Sequence, residues 1–198
     1  MSRGTTAVQP IDHRGVLISP PLTALQEISA KLSWTDLVVA FDALAADRFG
    51  AHERITRAQL AEQLAAARGK GTTALRRALP YVRERSWSPM ETRMRLLLIV
   101  RGFPEPALNV QVDEDATGIA FYIDLAYPEE RVAIEYDSEH HRKDRAAWQH
   151  DLNKNEVLHD AGWAVVRAST ADYRSPRQFL ARVETALAKA GRRAATVT

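Results

Sequence analysis

Cysteine is absent from the 198 residues. That removes disulfides, a cysteine nucleophile and any thiolate metal site, and it fits a reducing compartment. No stretch approaches the roughly 18 consecutive apolar residues of a membrane span. The polar start, Met1 to Pro10, lacks the apolar core of a signal peptide. A cytoplasmic protein with no membrane partner is therefore expected. Internal repeats and low-complexity runs are missing as well. Hydrophobic residues at 45% and charged residues at 26% describe an ordinary folded chain rather than a disordered one. The length admits one well-buried domain beside a smaller helical partner, because domains usually hold about 100 to 150 residues.

The formal net charge is only +2, but it is unevenly spread. From Ala51 to Arg101 there are 11 Lys and Arg against 4 Asp and Glu; from Gly102 to Asp160 there are 5 against 14. A basic stretch beside an acidic one suits a protein that holds phosphates on one surface and a divalent metal in a neighbouring pocket. Solvated helix faces give the same pattern, so charge alone does not choose.

Punctuation and periodicity divide the chain at residue 88. Residues 1–87 read as a helical N-terminal region: a loose arm with a short strand at Val16 to Ile18, then helices over Leu22 to Lys31 and Thr35 to Arg48. Ser33 or Thr35 is placed to cap the second of these. A further pair, Ile55 to Ala67 and Thr72 to Glu84, is joined by Arg68-Gly69-Lys70-Gly71 and has a helix-turn-helix outline. Packing is a more common use of such a pair than reading a DNA groove.

Residues 88–198 change character. Ser88-Pro89-Met90-Glu91 is a capping box with proline at the first helical position, opening an apolar helix to Gly102. Strands follow at Leu108 to Val112, Ile119 to Tyr127 and Val132 to Asp137. A helix from about Lys143 to Ala161 carries Trp148, Leu152 and Leu158 as buried candidates. A strand over Trp163 to Arg167 and a helix over Pro176 to Ala190 complete the set. The expected class is α/β: an α-β-β-β-α-β core whose sheet is mixed, because a strand-helix-strand step implies a parallel crossover.

The hairpin between the second and third of these strands holds the chemistry. If its turn is centred between Glu129 and Glu130, Asp124 lies opposite Glu135, and alternation places Asp137 on the same face. Ala126 and Ala133 share that face and leave room. Phe121, Ile123, Leu125, Tyr127, Val132, Ile134 and Tyr136 fall on the other face as core. Like charges placed opposite each other are destabilising, and a divalent cation removes the objection. Oxygen-only ligands suit Mg²⁺ or Mn²⁺.

At these residues the chain resembles a known family. Ser88-Pro89-Met90-Glu91, Asp124-Leu125-Ala126-Tyr127-Pro128, Glu135-Tyr136-Asp137-Ser138-Glu139-His140-His141-Arg142, and Asp151 with Lys154, Leu158, Gly162-Trp163 and Val166-Arg167 carry the likeness. They look like actinobacterial uncharacterised proteins related to very-short-patch-repair endonucleases, within the PD-(D/E)XK superfamily. The resemblance is specific over Ser88 to Arg167 and looser from Gly15 to Trp87. It implies a restriction-endonuclease-like core in which Asp124 and Glu135 bind metal, Glu91 completes the site from its helix, and His141 ends the motif. Ser138 stands where the family usually has glycine. Asp137 stands where many superfamily nucleases have lysine.

Together these readings point to a Mg²⁺-dependent DNA endonuclease or nickase. His141 is the candidate proton donor, since imidazole titrates near neutrality, with His140 in reserve. Lys154 is a candidate phosphate or transition-state contact; a helical salt bridge to Asp151, three residues away, is its structural alternative. Lys143, Arg142, Arg93 and Arg95 are candidate nucleic-acid contacts, and Gln111 is a weaker candidate for the edge of the site. A zinc hydrolase built on His140 and His141 is disfavoured, because adjacent strand residues point apart and no His-Glu-x-x-His helix exists. The non-enzymatic reading is a nucleic-acid-binding or regulatory protein, linked to toxin-antitoxin or defence systems, on the same fold. Oligomeric state is not legible.

Overall fold

The structure, a computed structural model, describes residues 10–48, 54–114, 119–137 and 145–197. His140, His141, Arg142 and Lys143 lie outside the described residues, as do Ser138 and the side chains of Trp148 and Asp151. Residues 1–89 and 90–198 form two units.

The first unit opens with a hairpin, β1 (Ile11–His13) paired antiparallel with β2 (Val16–Ile18). The sequence offered only the second strand. The turn between them puts Arg14 at φ 54° and Gly15 at φ 79°. Positive φ at both central residues matches the twist of a hairpin, but arginine is an unusual first residue for it. Helices α1 (Pro21–Ile28), α2 (Trp34–Ala45), α3 (Arg57–Ala66) and α4 (Thr72–Ala78) follow. Ser33 supplies the cap of α2, its hydroxyl accepting from the Asp36 amide at 3.1 Å. The helix expected to reach Glu84 stops at Ala78 and tightens into one 3₁₀ turn, Leu79–Tyr81. Pro80 has no amide hydrogen to continue the ladder. Between α3 and α4, Gly71 sits at φ 86°, where an added Cβ would stand 2.4 Å from the Gln26 carbonyl oxygen. Only glycine lets the turn pack this closely on α1.

The second unit is built on a four-stranded sheet in the order β3 (Ala107–Asp113), β4 (Ala120–Tyr127), β5 (Val132–Tyr136), β6 (Ala164–Ala168). Neighbours are antiparallel except β5 and β6, which run parallel. Helix α5 (Pro89–Val100) precedes β3, and α6 (Arg145–Asp160) makes the crossover to β6. The fold is thus mixed α/β with the expected element order. Two features of its end were not foreseen. A short helix, α7 (Thr170–Arg174), is capped reciprocally by Ser169 and Asp172, and α8 (Arg177–Val197) continues seven residues past Ala190.

Helices cover both faces of the sheet. Met94 and Leu98 of α5 and Phe179 and Val183 of α8 pack with Leu108, Leu125, Tyr127, Val132, Ile134 and Val166. On the other face Leu158 of α6 packs with Ile123, Ala126 and Ala133. Two expectations are corrected here. Ala126 and Ala133 do not leave open room, because both are fully buried beneath Leu158. Ile123 is not on the face of Leu125 but on the opposite one. The cause lies between two register pairs, Leu108 with Leu125 and Val110 with Ile123. Asn109, between Leu108 and Val110, has φ 47°, a left-handed conformation that interrupts alternation, so Leu108 joins one core and Val110 the other. Leu152, expected to be buried, is 37% exposed.

Asn109 should therefore be sensitive to substitution in two separable ways. Asn109→Gly keeps the backbone and loses only the side chain, whereas Asn109→Val also forces a β-branched residue to positive φ. Valine should cost about 1–2 kcal/mol more than glycine in denaturant unfolding. Equal stabilities would remove the left-handed constraint.

Candidate functional site

Register brings the two principal acids together. Leu125 pairs with Ile134, Ala126 with Ala133 and Tyr127 with Val132, which is the expected hairpin register. Beyond Leu125 and Ile134 the link between strands becomes a side chain: Asp124 Oδ2 accepts the Tyr136 backbone N–H at 2.8 Å. Asp124 is thereby fixed beside Glu135, one residue back along β5.

Glu135 is 7% exposed although it is an acid in the middle of a sheet. Its Oε2 accepts from Lys154 Nζ at 2.5 Å, an ion pair whose side chains are 10% and 14% exposed. Lys154 reaches it because Leu158, one turn further along α6, is anchored in the core beneath the sheet. The side chain of Asp151, the helical alternative as a partner for Lys154, lies outside the described residues; the partner described for Lys154 is Glu135 on β5. Glu135 Oε1 is buried with no hydrogen-bond partner among the described residues. Buried carboxylate oxygens are usually satisfied, which makes this atom the candidate ligand position of the site.

Burial pushes the Glu135 carboxyl up to about 7, and the neighbouring Asp124 charge adds to the rise; Lys154 and Arg167 pull it back down. Arg167 is the parallel register partner of Glu135 on β6, and its Nη2 donates to Asn155 Oδ1 at 2.7 Å. Arg167 stood in the motif that carried the family likeness, but its placement beside Glu135 depends on the crossover.

The remaining candidates divide. Glu91 is buried, and its Oε2 accepts from Asn109 Nδ2 at 2.6 Å. It thus holds the residue at which strand alternation breaks, next to the Asp124 position. Asn109 was missed by sequence reasoning; its only signal was an asparagine, tolerant of left-handed backbone, inside an apolar strand. Asp137 does not join the pair. Its amide donates to Ala168 O at 2.7 Å, and it lines a groove of about 1370 Å³ along β6 and α8 with Arg167, Asp172 and Arg182. Neither Asp124 nor Glu135 lines that groove. Among the described residues no three His, Asp or Glu side chains form a metal-holding group. The cluster of three acids expected on the hairpin is therefore a pair with a lysine.

Arg95 is not a nucleic-acid contact. It is fully buried one turn beyond Glu91 and bonds Glu105 Oε1 at 2.9 Å, because the 91, 95, 98 stripe of α5 faces the core. Arg93, off that stripe, is half-buried. Gln111 is exposed, donates to Asp113 Oδ1 at 2.7 Å and accepts from the Tyr122 hydroxyl at 3.3 Å, on the part of the hairpin away from the acid pair.

Two proteins of Mycobacterium tuberculosis, one from strain CDC 1551 / Oshkosh and one from strain ATCC 25618 / H37Rv, are each 31% identical to this chain over 171 residues. Both are described as uncharacterised. The match covers 80% of this chain and 63% of each relative, so the chain spans just under two thirds of their length. No family model matches, and neither does any solved structure.

The titration of Glu135 is a direct test of this geometry. Its ¹³C-carboxyl resonance should move with a midpoint near 7, and Asp124→Asn should lower that midpoint by removing a like charge. Because the folded chain holds this proton above the ordinary 4.5, the stability owed to Glu135 is present below about 4.5 and lost as pH rises through about 7. A midpoint in the ordinary range, unmoved by the Asp124 variant, refutes the placement.

Proposed function

We propose that this chain is a metal-dependent endonuclease or nickase acting on DNA, with Mg²⁺ or Mn²⁺ held by Asp124 and Glu135. One observation carries the reading: an acid pair joined across two strands, Glu135 buried and Asp124 half-buried, presents a Glu135 carboxylate oxygen with no partner among the described residues beside a lysine ammonium. A structural sheet has no need of such a set, which costs desolvation without satisfying Glu135. Two carboxylates are enough for Mg²⁺, which commonly keeps several waters and takes further oxygens from a substrate phosphate. The donor set is all oxygen, as these ions require. The α-β-β-β-α-β order and the mixed sheet agree with the restriction-endonuclease-like core that the family resemblance implies.

When bound, the cation supplies charge stabilisation at the phosphate and a water of lowered pKa. The chain's own groups do the rest. Asp124 is oriented by the Tyr136 amide, so its carboxylate is directed before any ligand arrives. Glu91 holds Asn109, and with it β3, at the break between the Leu108–Leu125 and Val110–Ile123 pairs. Lys154 brings a mobile positive charge to the place where a phosphate would lie. His141, in the segment after β5, is the proposed proton donor to the leaving oxygen.

Plasmid nicking with Mg²⁺ or Mn²⁺ tests the reading. The parent should convert supercoiled DNA to open circles, and Asp124→Ala or Glu135→Ala should slow this at least about a hundredfold. Equal cutting by the variants defeats the site assignment. An inactive parent that still binds DNA, with affinity falling steeply in salt, favours the regulatory alternative on the same fold.

A further inference from the structure

We propose that Lys154 is a resident counter-cation of the acid pair, displaced from Glu135 when a divalent cation binds and thereby released toward the phosphate of the substrate. The inference rests on the metal-dependent reading above and adds an order of events to it.

The geometry points this way at three places. The ammonium occupies Oε2 of Glu135 at 2.5 Å while Oε1 has no partner among the described residues, so among these the carboxylate is half engaged, by a monovalent ion. The ion pair is nearly closed to solvent, at 14% and 10% side-chain exposure, so water screens poorly between Lys154 and a second cation on the same carboxylate. Finally, Asp124 accepts the Tyr136 backbone amide, a contact that does not involve Lys154 and survives its departure.

The charges of the described residues around Glu135 point in the same sense. Asp124 faces it with one negative charge, and Lys154 and Arg167 with two positive ones. A divalent ion adds two more positive charges to this space, and Lys154 is the cation able to leave. Arg167 is a register partner on β6, tied to Asn155. Lys154, in contrast, ends a flexible four-carbon stem, and the anchoring of Leu158 lets the ammonium swing without moving the helix. A displaced ammonium would be a strongly hydrated point charge a few ångströms from the acid pair, suited to a phosphate oxygen.

The test is Mn²⁺ binding to the full chain by calorimetry, with no DNA present. Lys154→Met should bind Mn²⁺ about tenfold more tightly than the parent, because a competing cation is gone. Asp124→Asn should abolish binding. If Asp124→Asn binds like the parent, the metal site is misassigned and the nuclease reading falls with it. If Asp124→Asn loses Mn²⁺ while Lys154→Met binds no more tightly than the parent, displacement alone is overturned. A second measurement uses the unaltered protein and so does not depend on the variant folding. Acetylation of Lys154 by an amine-reactive reagent, read by peptide mass against the exposed Lys189, should accelerate at saturating Mn²⁺. Labelling that Mn²⁺ leaves unchanged overturns the displacement.

Discussion

Placing Glu135 in the interior of a sheet is the constraint on which the rest of the second unit turns. An ionised carboxylate there demands a partner, and leaving its charge alone would cost about 3–5 kcal/mol. Lys154 meets that demand only because α6 crosses beneath β4 and β5, and α6 takes that path only because Leu158 buries against Ile123, Ala126 and Ala133. The small alanines are therefore not spare room for a ligand. They are what lets a helix approach closely enough for a lysine one turn away to reach the acid.

A second device sets where the acids sit. At Asn109 the backbone of β3 takes a left-handed turn, and the strands on either side of that point feed opposite cores. The buried Glu91 holds Asn109 in place through a 2.6 Å hydrogen bond. Asp124, on the paired strand, lies between Ile123 and Leu125, which go to opposite cores, and its carboxylate accepts from the Tyr136 amide. Helix α5, the irregularity in β3 and the acid on β4 form one chain of dependence. Glu91 acts in it as a buttress, whether or not it meets a ligand.

Much of this was legible before folding. Proline at position 89, glycine at 162 and the apolar runs between them placed the elements of the second unit to within a few residues. The turn centred on Glu129 and Glu130 was enough to set the hairpin register. Features that depend on a single unusual backbone angle were not legible: the Arg14 and Gly15 turn, and the change of face at Asn109. Strand patterning assumes strict alternation, and one left-handed residue defeats it without altering composition. Arg95 misled for a related reason, since a charged residue on a helix reads as surface until a partner such as Glu105 is known to reach it.

The sequence by itself determined the fold class, the crossover that makes β6 parallel, and the meeting of Asp124 with Glu135, because local periodicity and turn length dictate each of these. Tertiary structure decided which groups surround that pair. Lys154 is nineteen residues from Glu135 along the chain, Arg167 belongs to a strand beyond the crossover, and Asp137 turns to another groove. Side chains distant in sequence meet through packing, and packing follows from the summed burial of many apolar groups rather than from any motif. The surroundings of an acid pair, and hence its protonation and its counter-cation, are properties of the folded chain alone.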